Sequence, residues 1–377
     1  MINRERMVDL VLELVRIDSH PREEKAVADR LLPALRQAGA DVRIDDAGHK
    51  VGGDVGNLIA RVPGNKPGAM PLLLSAHMDT VQPGQGVKPI REPDRIRSDG
   101  TTILGGDDKS GLAVIVEVLR VLSERALAHG DIEVAFTICE EVGLLGAKHL
   151  SADAASARCG IVLDSPHAST LVTWAPSADH FQFIVHGLEA HAGVCPEQGI
   201  SAVRVAAEAI AAMPLGRIDD QTTSNVVIVE GGQATNVVPN RCTVRGEARS
   251  LIADRLDRQT AAIRRCFQDA AAAATATVNG QARRAWVEET IERQYEGMKV
   301  PDDAPIVRRV IEAARSVNHT VRTESIGGGS DANVFNRRGI QTVNLGTGMR
   351  AIHTVNEWID LKDFYACADT VLACCTM

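Results

Sequence analysis

Four short apolar runs in this chain are each followed by side chains of the kind that bind metal ions. The runs and the residues after them are 72–76 with His77 and Asp79, 132–138 with Glu140 and Glu141, 160–163 with Asp164, and 340–345 with His353. Short apolar runs separated by helical patterns are typical of buried parallel strands. Ligands in open α/β sheets bind beyond the carboxyl ends of the strands, so we expect these side chains to converge at one sheet edge.

Helical and strand patterns alternate over the first part of the chain. The predicted helices are 7–15, 24–38, 112–127 and near 142–150, and the predicted strands are 41–44, 57–62, 72–77, 132–138 and 160–163. A polar, glycine-rich turn at 105–111 precedes the third helix. This alternation predicts an α/β fold with a mostly parallel sheet and helices on both faces.

The order of the predicted helices and strands changes after Pro176. Strands are predicted at 181–185, 225–229, 242–249 and 285–291, and helices at 200–213 and 252–273. The order β-α-β-β-α-β is that of a ferredoxin-like α+β module. The first pattern resumes with a helix at 306–317 and the strand at 340–345. We therefore predict a catalytic domain over 1–176 and 295–377, with an inserted lid and dimerisation domain over 177–294.

Composition narrows the class of protein. The net charge of −8 and pI near 5.8 argue against a nucleic-acid-binding surface. The eight cysteines include no CxxC pair and are expected to be reduced and mostly buried. Neither a secretory leader nor an apolar stretch of membrane-spanning length is recognisable, so we expect a cytoplasmic protein without a membrane partner.

Each candidate ligand also has a simpler interpretation when it is considered alone. A strand-end histidine such as His77 can cap a turn, and carboxylates such as Asp107 and Asp108 commonly cap helices. The other acidic residues and His353 fit turn or surface positions. These interpretations do not explain why all five places fall at one predicted sheet edge, and a metal site is therefore favoured.

The ligand types indicate the kind of metal site. Two histidines and several carboxylates, without a ligating cysteine, suit zinc, cobalt or manganese. Because this set exceeds what one catalytic zinc needs, it fits a two-metal site in which one carboxylate bridges the ions. One acid then remains as a general base that activates water. The adjacent Glu140 and Glu141 offer this division between a base and a ligand.

Seven stretches, in order along almost the whole chain, resemble a known family. They are SAHMDT (75–80), LGGDDKSG (104–111), EEVG (140–143), VLD (162–164), GLEAHAG (187–193), NVVP (236–239) and IHTVNE (352–357). The chain resembles the co-catalytic zinc exopeptidases and amidohydrolases that include peptidase T, aminoacylase and glutamate carboxypeptidase. Among these, GGDDK at 105–109 and GGSD at 328–331 are most similar to the peptidase T-like branch.

The resemblance implies roles for the residues that match the metal-site motifs. The implied ligands of two divalent ions, zinc first and cobalt or manganese as alternatives, are His77, Asp107, Glu141, Asp164 and His353. Asp107 is the implied bridging ligand, and Asp108 is a neighbour rather than a ligand. Glu140 is the implied general base, and Asp79 orients His77.

The resemblance also implies roles in the lid. His191 matches a histidine that reaches the site of another subunit and steadies the developing oxyanion, which implies a homodimer through the lid. Asn236 and Arg249 match positions that hold the carboxylate or backbone of the substrate. The guanidinium of Arg249 can do so with two parallel hydrogen bonds. A surface salt bridge is the simpler alternative for Arg249.

The implied activity is hydrolysis of a terminal peptide bond of short peptides by a peptidase T-like metallopeptidase, with aminopeptidase and tripeptidase as the nearest descriptions. Removal of the acyl group from N-acyl amino acids is the alternative within the family. A metal-dependent binding protein without hydrolytic activity is the alternative from another class. Glu140 argues against that last alternative, because a binder has no need of a base beside Glu141.

Overall fold

The structure, a computed structural model, describes residues 1–151 and 153–377. Its helices are α1 Arg4–Leu14, α2 Lys25–Gln37, α3 Ala47–Val51, α4 Gly106–Glu124, α5 Leu145–His149, α6 Ala202–Ala212, α7 Ala253–Ala273, α8 Pro305–Ser316, α9 Asp331–Arg337 and α10 Leu361–Thr376. None of the helices in the described part of the chain combines the length and apolar character needed to span a bilayer.

The strands divide between larger sheets and short ribbons. They are β1 Asp41–Ile44, β2 Leu58–Val62, β3 Leu72–His77, β4 Ile90–Arg91, β5 Arg95–Arg97, β6 Ile132–Thr137, β7 Cys159–Val162, β8 Thr170–Ala175, β9 Ser177–His186, β10 Gly216–Arg217, β11 Thr222–Gly231, β12 Arg241–Ser250, β13 Thr275–Val278, β14 Gln281–Arg284, β15 Trp286–Tyr295, β16 Met298–Lys299, β17 Arg322–Ser325, β18 Gln341–Leu345, β19 Met349–Arg350 and β20 Trp358–Asp360.

The chain forms two compact units. The first comprises Met1–Trp174, Met298–Ile326 and Ser330–Met377, and the second comprises Ala175–Gly297 with Gly327–Gly329.

The main sheet of the first unit has the strand order β1-β2-β6-β3-β7-β18-β8-β16, with β17 beside β8. The four central strands β6, β3, β7 and β18 are parallel, so their carboxyl ends meet at one edge as predicted. The outer pairs β1–β2, β2–β6 and β18–β8 are antiparallel. The fold is thus the predicted α/β class, with a mixed sheet that is parallel where the candidate ligands lie.

Alternation along β3 explains how His77 reaches the site. Leu72, Leu74 and Ala76 lie in the large core formed with α1, α2, α4, α8 and α10, and burial of each leucine contributes about 1.5–3 kcal/mol. Successive side chains of a strand point to opposite faces, so His77 lies on the other face. The apolar residues of α4 are buried on several faces, as the sequence predicts.

The second unit has the predicted ferredoxin-like element order. Its antiparallel sheet has the strand order β10-β11-β12-β9-β15, and α6 and α7 pack against it. Phe181, Phe183 and Val185 alternate inward from β9, and the ring of Phe183 stacks on that of Phe267 at 4.1 Å between centroids. This alternation buries one face of the sheet against the two helices.

Some local predictions differ from the structure. The helix predicted near 142–150 is only α5, because the backbone turns tightly before it and Leu144 has φ of 59°. The helix predicted at 112–127 begins earlier, at Gly106, although Asp107 and Asp108 have non-helical backbone angles. Helix α10 and the β13–β14 hairpin were not predicted. The eight cysteines are free thiols, and Cys195 and Cys266 are only partly buried.

Candidate metal centre

Side chains from the ends of the central strands and from two loops meet at one edge of the main sheet. Nε2 of His77 lies 3.1 Å from Oδ1 of Asp107. Nε2 of His353 lies 3.2 Å from Oδ2 of Asp107 and 2.9 Å from Oε1 of Glu141. The structure therefore brings together residues that the sequence separates by more than 200 positions.

Two groups of potential ligands share one carboxylate. The ligand atoms of His77, Asp107 and Asp164 all lie within 4.8 Å of one another, and so do those of Asp107, Glu141 and His353. Glu140 forms a third such group with His77 and Glu141. Asp107 is the residue common to the first two groups, which is the arrangement expected of a bridging ligand.

The donor set and its charge fit divalent ions. Burial raises the pKa of Glu140 and of Asp164 well above their usual values, and neighbouring carboxylates raise both further. Burial also raises the pKa of Glu141. Such a concentration of buried carboxylates is costly unless cations compensate it. Imidazole nitrogen with carboxylate oxygen is a donor set suited to zinc and its neighbours.

Protons on the two candidate histidine ligands offset part of this negative charge. Hydrogen bonds to Asp107 and Glu141 raise the pKa of His353 to about 10. Burial opposes charge on His77, but hydrogen bonds to Asp107 and Asp79 outweigh it and raise its pKa well above the usual value. Burial likewise disfavours ionised Asp107, but hydrogen bonds from His353 and His77 lower its pKa. Divalent ions would replace these protons.

The carboxylate of Asp79 lies closer to the backbone N–H groups of the two neighbouring glutamates than to His77. Its Oδ1 accepts from the backbone N–H of Glu140 at 2.9 Å, and its Oδ2 accepts from that of Glu141 at 3.1 Å. Nδ1 of His77 lies 2.9 Å from the carbonyl oxygen of Asp79 and 3.5 Å from its Oδ1. Both main-chain and side-chain oxygens of Asp79 thus help to order the site.

Asp108 has a structural environment distinct from that of Asp107. Its two carboxylate oxygens accept from the N–H groups of His77 and Gly111, each at 3.2 Å. Among the described residues, it is outside the three groups of potential ligands. These contacts hold the carboxylate of Asp108 against the backbone. That Asp108 adjoins the candidate ligand Asp107 without binding metal itself stays a prediction.

Sequence reasoning assigned no role to Glu357, which holds the glycine-rich turn. Its carboxylate accepts from the N–H groups of Leu104 and Gly105 at 2.8 Å and of Asp107 at 3.0 Å. Gly105 has φ of 73°, a conformation that favours glycine. The only sequence signal was the position of Glu357 at the end of the motif 352–357.

Sequence reasoning also assigned no role to two further buried residues near the site. Asn344 donates from Nδ2 to the carbonyl oxygen of Asp164 at 2.6 Å and accepts from the N–H of Asp164 at 2.9 Å. Asp331 accepts a hydrogen bond from Thr137, and burial raises its pKa to about 6. The GGSD motif at 328–331 was the available signal for Asp331.

The predicted lid residues fall at opposite ends of the sheet in the second unit. His191 and Asn236 are exposed and lie together, because Ala192 donates from its N–H to the carbonyl oxygen of Asn236 at 2.9 Å. Arg249 is near the end of β12, opposite Ala178 in β9. Residues 241 and 249 of this strand are about 27 Å apart at ~3.4 Å per residue. Within one chain, Arg249 is therefore remote from His191 and Asn236.

The alternative considered for Arg249 is present in the structure. Its Nη2 lies 2.9 Å from Oε2 of Glu247, which forms an ion pair. Nε of Arg249 is buried and has no hydrogen-bond partner among the described residues. The ion pair with Glu247 thus uses Nη2 and leaves Nε without an acceptor among the described residues.

The fold and its clustered ligands define a class of α/β proteins with an inserted α+β unit and a site suited to two metal ions. Residues 73–376 match the model of peptidase family M20/M25/M40. The crystal structure of aminopeptidase PepT from Bacillus cereus is 41% identical, with a TM-score of 0.87 and coverage of 100% of this chain and 98% of that one.

Two other relatives agree with this match. The structure of a tripeptidase from Staphylococcus aureus is 36% identical, with a TM-score of 0.91 and coverage of 100% of this chain and 98% of that one. Peptidase T of Vibrio cholerae is 26% identical over 386 residues, which are 93% of this chain and 90% of that protein. The chain belongs to peptidase family M20/M25/M40.

Proposed function

We propose that this protein is a peptidase T-like exopeptidase that hydrolyses a terminal peptide bond of short peptides with the aid of two divalent ions. The observation that carries the proposal is the position of Asp107 in two groups of ligands, with Glu140 beside them. The similarity to an aminopeptidase PepT and to a tripeptidase over nearly the whole chain supports the reaction class.

The proposed ligands are His77, Asp107 and Asp164 for one ion and Asp107, Glu141 and His353 for the other. Their nitrogen and oxygen donors favour zinc, with cobalt or manganese as alternatives. When bound, the ions supply Lewis acidity that polarises the scissile carbonyl and lowers the pKa of water. This assignment agrees with the two groups of clustered ligand atoms.

Glu140 is the proposed general base. It is buried beside the ligands, and Asp79 holds its N–H in place. In this role its carboxylate accepts the proton of the attacking water and then delivers a proton to the leaving amine. A base needs to be ionised before the reaction, and cations at the neighbouring ligands favour that form.

A homodimer through the second unit is part of the proposal. Strand β11 pairs with β12 on one side, whereas on the other side β10 covers only Thr223 and Ser224. The remaining edge carries Val227 and Val229, which are 64% and 52% exposed. An open strand edge invites pairing with a second copy, and twofold pairing is the commonest closed symmetry.

His191 of one chain is proposed to donate a hydrogen bond to the oxyanion in the site of its partner. His191 lies beyond β9 and β12, at the end of the sheet opposite Ala178 and Arg249. The chain enters and leaves the second unit at the Ala178 end.

Asn236 and Arg249 are proposed to hold the carboxylate or backbone of the substrate. Their separation within one chain is compatible with contributions from two chains.

A substrate panel tests the reaction class. The purified protein, loaded separately with zinc, cobalt and manganese, is incubated with dipeptides, tripeptides and N-acyl amino acids, and released amino acids are quantified. We expect release from the peptides, and tripeptides blocked at either end identify the end that is trimmed. Turnover of only N-acyl amino acids would favour the deacylase, and metal binding without turnover of any substrate would contradict hydrolysis. Glu140→Gln protein prepared in parallel controls for contaminating peptidases.

A further inference from the structure

Four consecutive backbone N–H groups at the end of β6 each donate to a side-chain oxygen. Ile138 donates to Oδ1 of Asn57 at 3.1 Å, and Cys139 donates to Oε1 of Glu24 at 2.9 Å. Glu140 and Glu141 donate to the two oxygens of Asp79 at 2.9 and 3.1 Å. We call residues 138–141 the base segment, because it carries the proposed base and one proposed ligand.

The base segment does not continue the strand pairing of β6. Cys139 has φ of 52°, in the left-handed region that a non-glycine residue seldom adopts. Its N–H therefore cannot be satisfied by the neighbouring strand and depends on the acceptor that reaches it from elsewhere. A non-glycine residue in this region persists where the surroundings hold it there.

Glu24 is that acceptor, although it precedes Cys139 by 115 positions. Its side chain is fully buried just before α2. Oε1 also accepts from the N–H of Arg22 at 3.0 Å and from Sγ of Cys139 at 3.3 Å. Oε2 is buried and has no hydrogen-bond partner among the described residues. A buried carboxyl with one unsatisfied oxygen is poorly explained by stability alone, since such groups are usually fully paired.

We propose that Glu24 is a positioning residue for the reaction: through the N–H of Cys139 it fixes the base segment so that the carboxylate of Glu140 faces the reacting water. Glu24 acts through the backbone and does not touch the substrate. The inference rests on the proposed role of Glu140 as the base. It predicts that turnover depends on the acceptor oxygen at position 24 and not on the charge there.

Three substitutions at position 24 separate the effect of the acceptor oxygen from the effect of the charge. Glu24→Gln keeps the length and the acceptor oxygen, Glu24→Asp keeps the charge but withdraws the acceptor by one methylene, and Glu24→Met keeps the length without a comparable acceptor. We expect kcat within about threefold of wild type for Glu24→Gln. For Glu24→Met and Glu24→Asp we expect kcat lowered by roughly 10- to 100-fold, as small misplacements of catalytic groups produce. KM and the number of bound ions should change little.

Glu133 provides a matched control at the start of the same strand. It is 4% exposed, and its carboxylate accepts from the N–H groups of Ser156 at 2.7 Å and Ala157 at 2.9 Å. Glu133→Met removes an equally buried acceptor away from the base segment. We expect it to lower the melting temperature about as much as Glu24→Met while kcat stays at the wild-type value.

Amide hydrogen exchange adds a readout that does not require activity. We expect peptides covering residues 138–141 to exchange faster in Glu24→Met than in wild type, and to be unchanged in Glu133→Met. If the wild type is active and Glu24→Met retains its kcat and exchange rates, the inference is wrong. Should Glu24→Met fail to fold, equal kcat values for Glu24→Gln and Glu24→Asp overturn it. An inactive wild type with ordered exchange at 138–141 would instead overturn the proposed function.

Discussion

Nε2 of His353 lies 2.9 Å from Oε1 of Glu141, although 212 residues separate the two in the chain. His353 is partly exposed and has φ of 62°, in the left-handed region that favours glycine. Backbone conformations of this kind cluster at functional sites, where the surrounding structure maintains them. The pair presents a nitrogen and an oxygen toward the carboxylate of Asp107, as ligands of a shared ion would.

Removal of one histidine from each group should weaken a different ion. We expect His77→Ala and His353→Ala each to reduce the metal content of zinc-loaded protein from near two ions per chain toward one, with activity lowered at least ~100-fold. Elemental analysis after gel filtration measures the content. His49→Ala, which removes an exposed histidine from α3, is the control and should retain both ions. Unchanged metal content and activity in both site variants would refute the assignment.

Glu140 and Glu141 should differ in the property that each supports. Glu140→Gln is expected to lower kcat by about 10²- to 10⁴-fold with metal content nearly intact, because an amide cannot take a proton from water. Glu141→Gln should instead lose one ion more readily on titration with a chelator. Equal metal loss in the two variants would contradict this division of roles.

The sequence predicted those elements that depend on residues close together in the chain. Apolar runs predicted β3, β6, β7 and β18, and parallel pairing explains why their following residues meet. The direction of the outer pairs, such as β1 with β2, was not predictable because pairing depends on contacts distant in the chain.

The supporting residues of the site were missed for the same reason. Glu24 and Glu357 contact N–H groups 115 and 250 positions away, and an isolated buried glutamate has no periodic pattern in the sequence. Arg249 was identified by its match to a family position, and its ion pair with Glu247 follows from their spacing of two residues on one face of β12.

Glu247 should make the stability of the fold depend on pH in acid. The nearby imidazole of His180, whose Nε2 lies 3.7 Å from Oε2 of Glu247, and then the ion pair with Arg249 lower the pKa of Glu247 from 4.5 to about 2. A carboxylate with a lowered pKa stabilises the folded state above its unfolded pKa, and this contribution is lost as the pH falls from about 5 to 2. The side chain is 29% exposed, so we discount the effect to about 1–2 kcal/mol.

Urea denaturation of metal-free protein between pH 2 and 7 tests this expectation. Glu247→Gln should be less stable than wild type at pH 7, and the difference should shrink toward zero near pH 2. Glu230→Gln, at an exposed position of the neighbouring strand β11, is the control and should follow the wild type. A difference between Glu247→Gln and wild type that stays constant with pH would show that the carboxylate charge is not responsible.

The proposed exchange of His191 between subunits has a direct test, because two inactive chains can restore one active site. Glu140→Gln chains lack the proposed base but carry an intact His191, and His191→Ala chains carry the opposite defect. In a mixed dimer, the site in the His191→Ala chain has its own Glu140 and receives His191 from its partner. The other site of the same dimer lacks both groups.

Random mixing of equal amounts places half of the dimers in the mixed form, and one of the two sites in each is complete. We therefore expect activity to rise to about one quarter of the wild-type value per chain, provided that stabilisation of the oxyanion requires this donor. Subunit exchange is verified by mass spectrometry of differently tagged chains. If exchange is complete and activity does not rise, His191 serves its own chain or takes no part in the reaction. A protein that remains monomeric at all concentrations would exclude the shared site altogether.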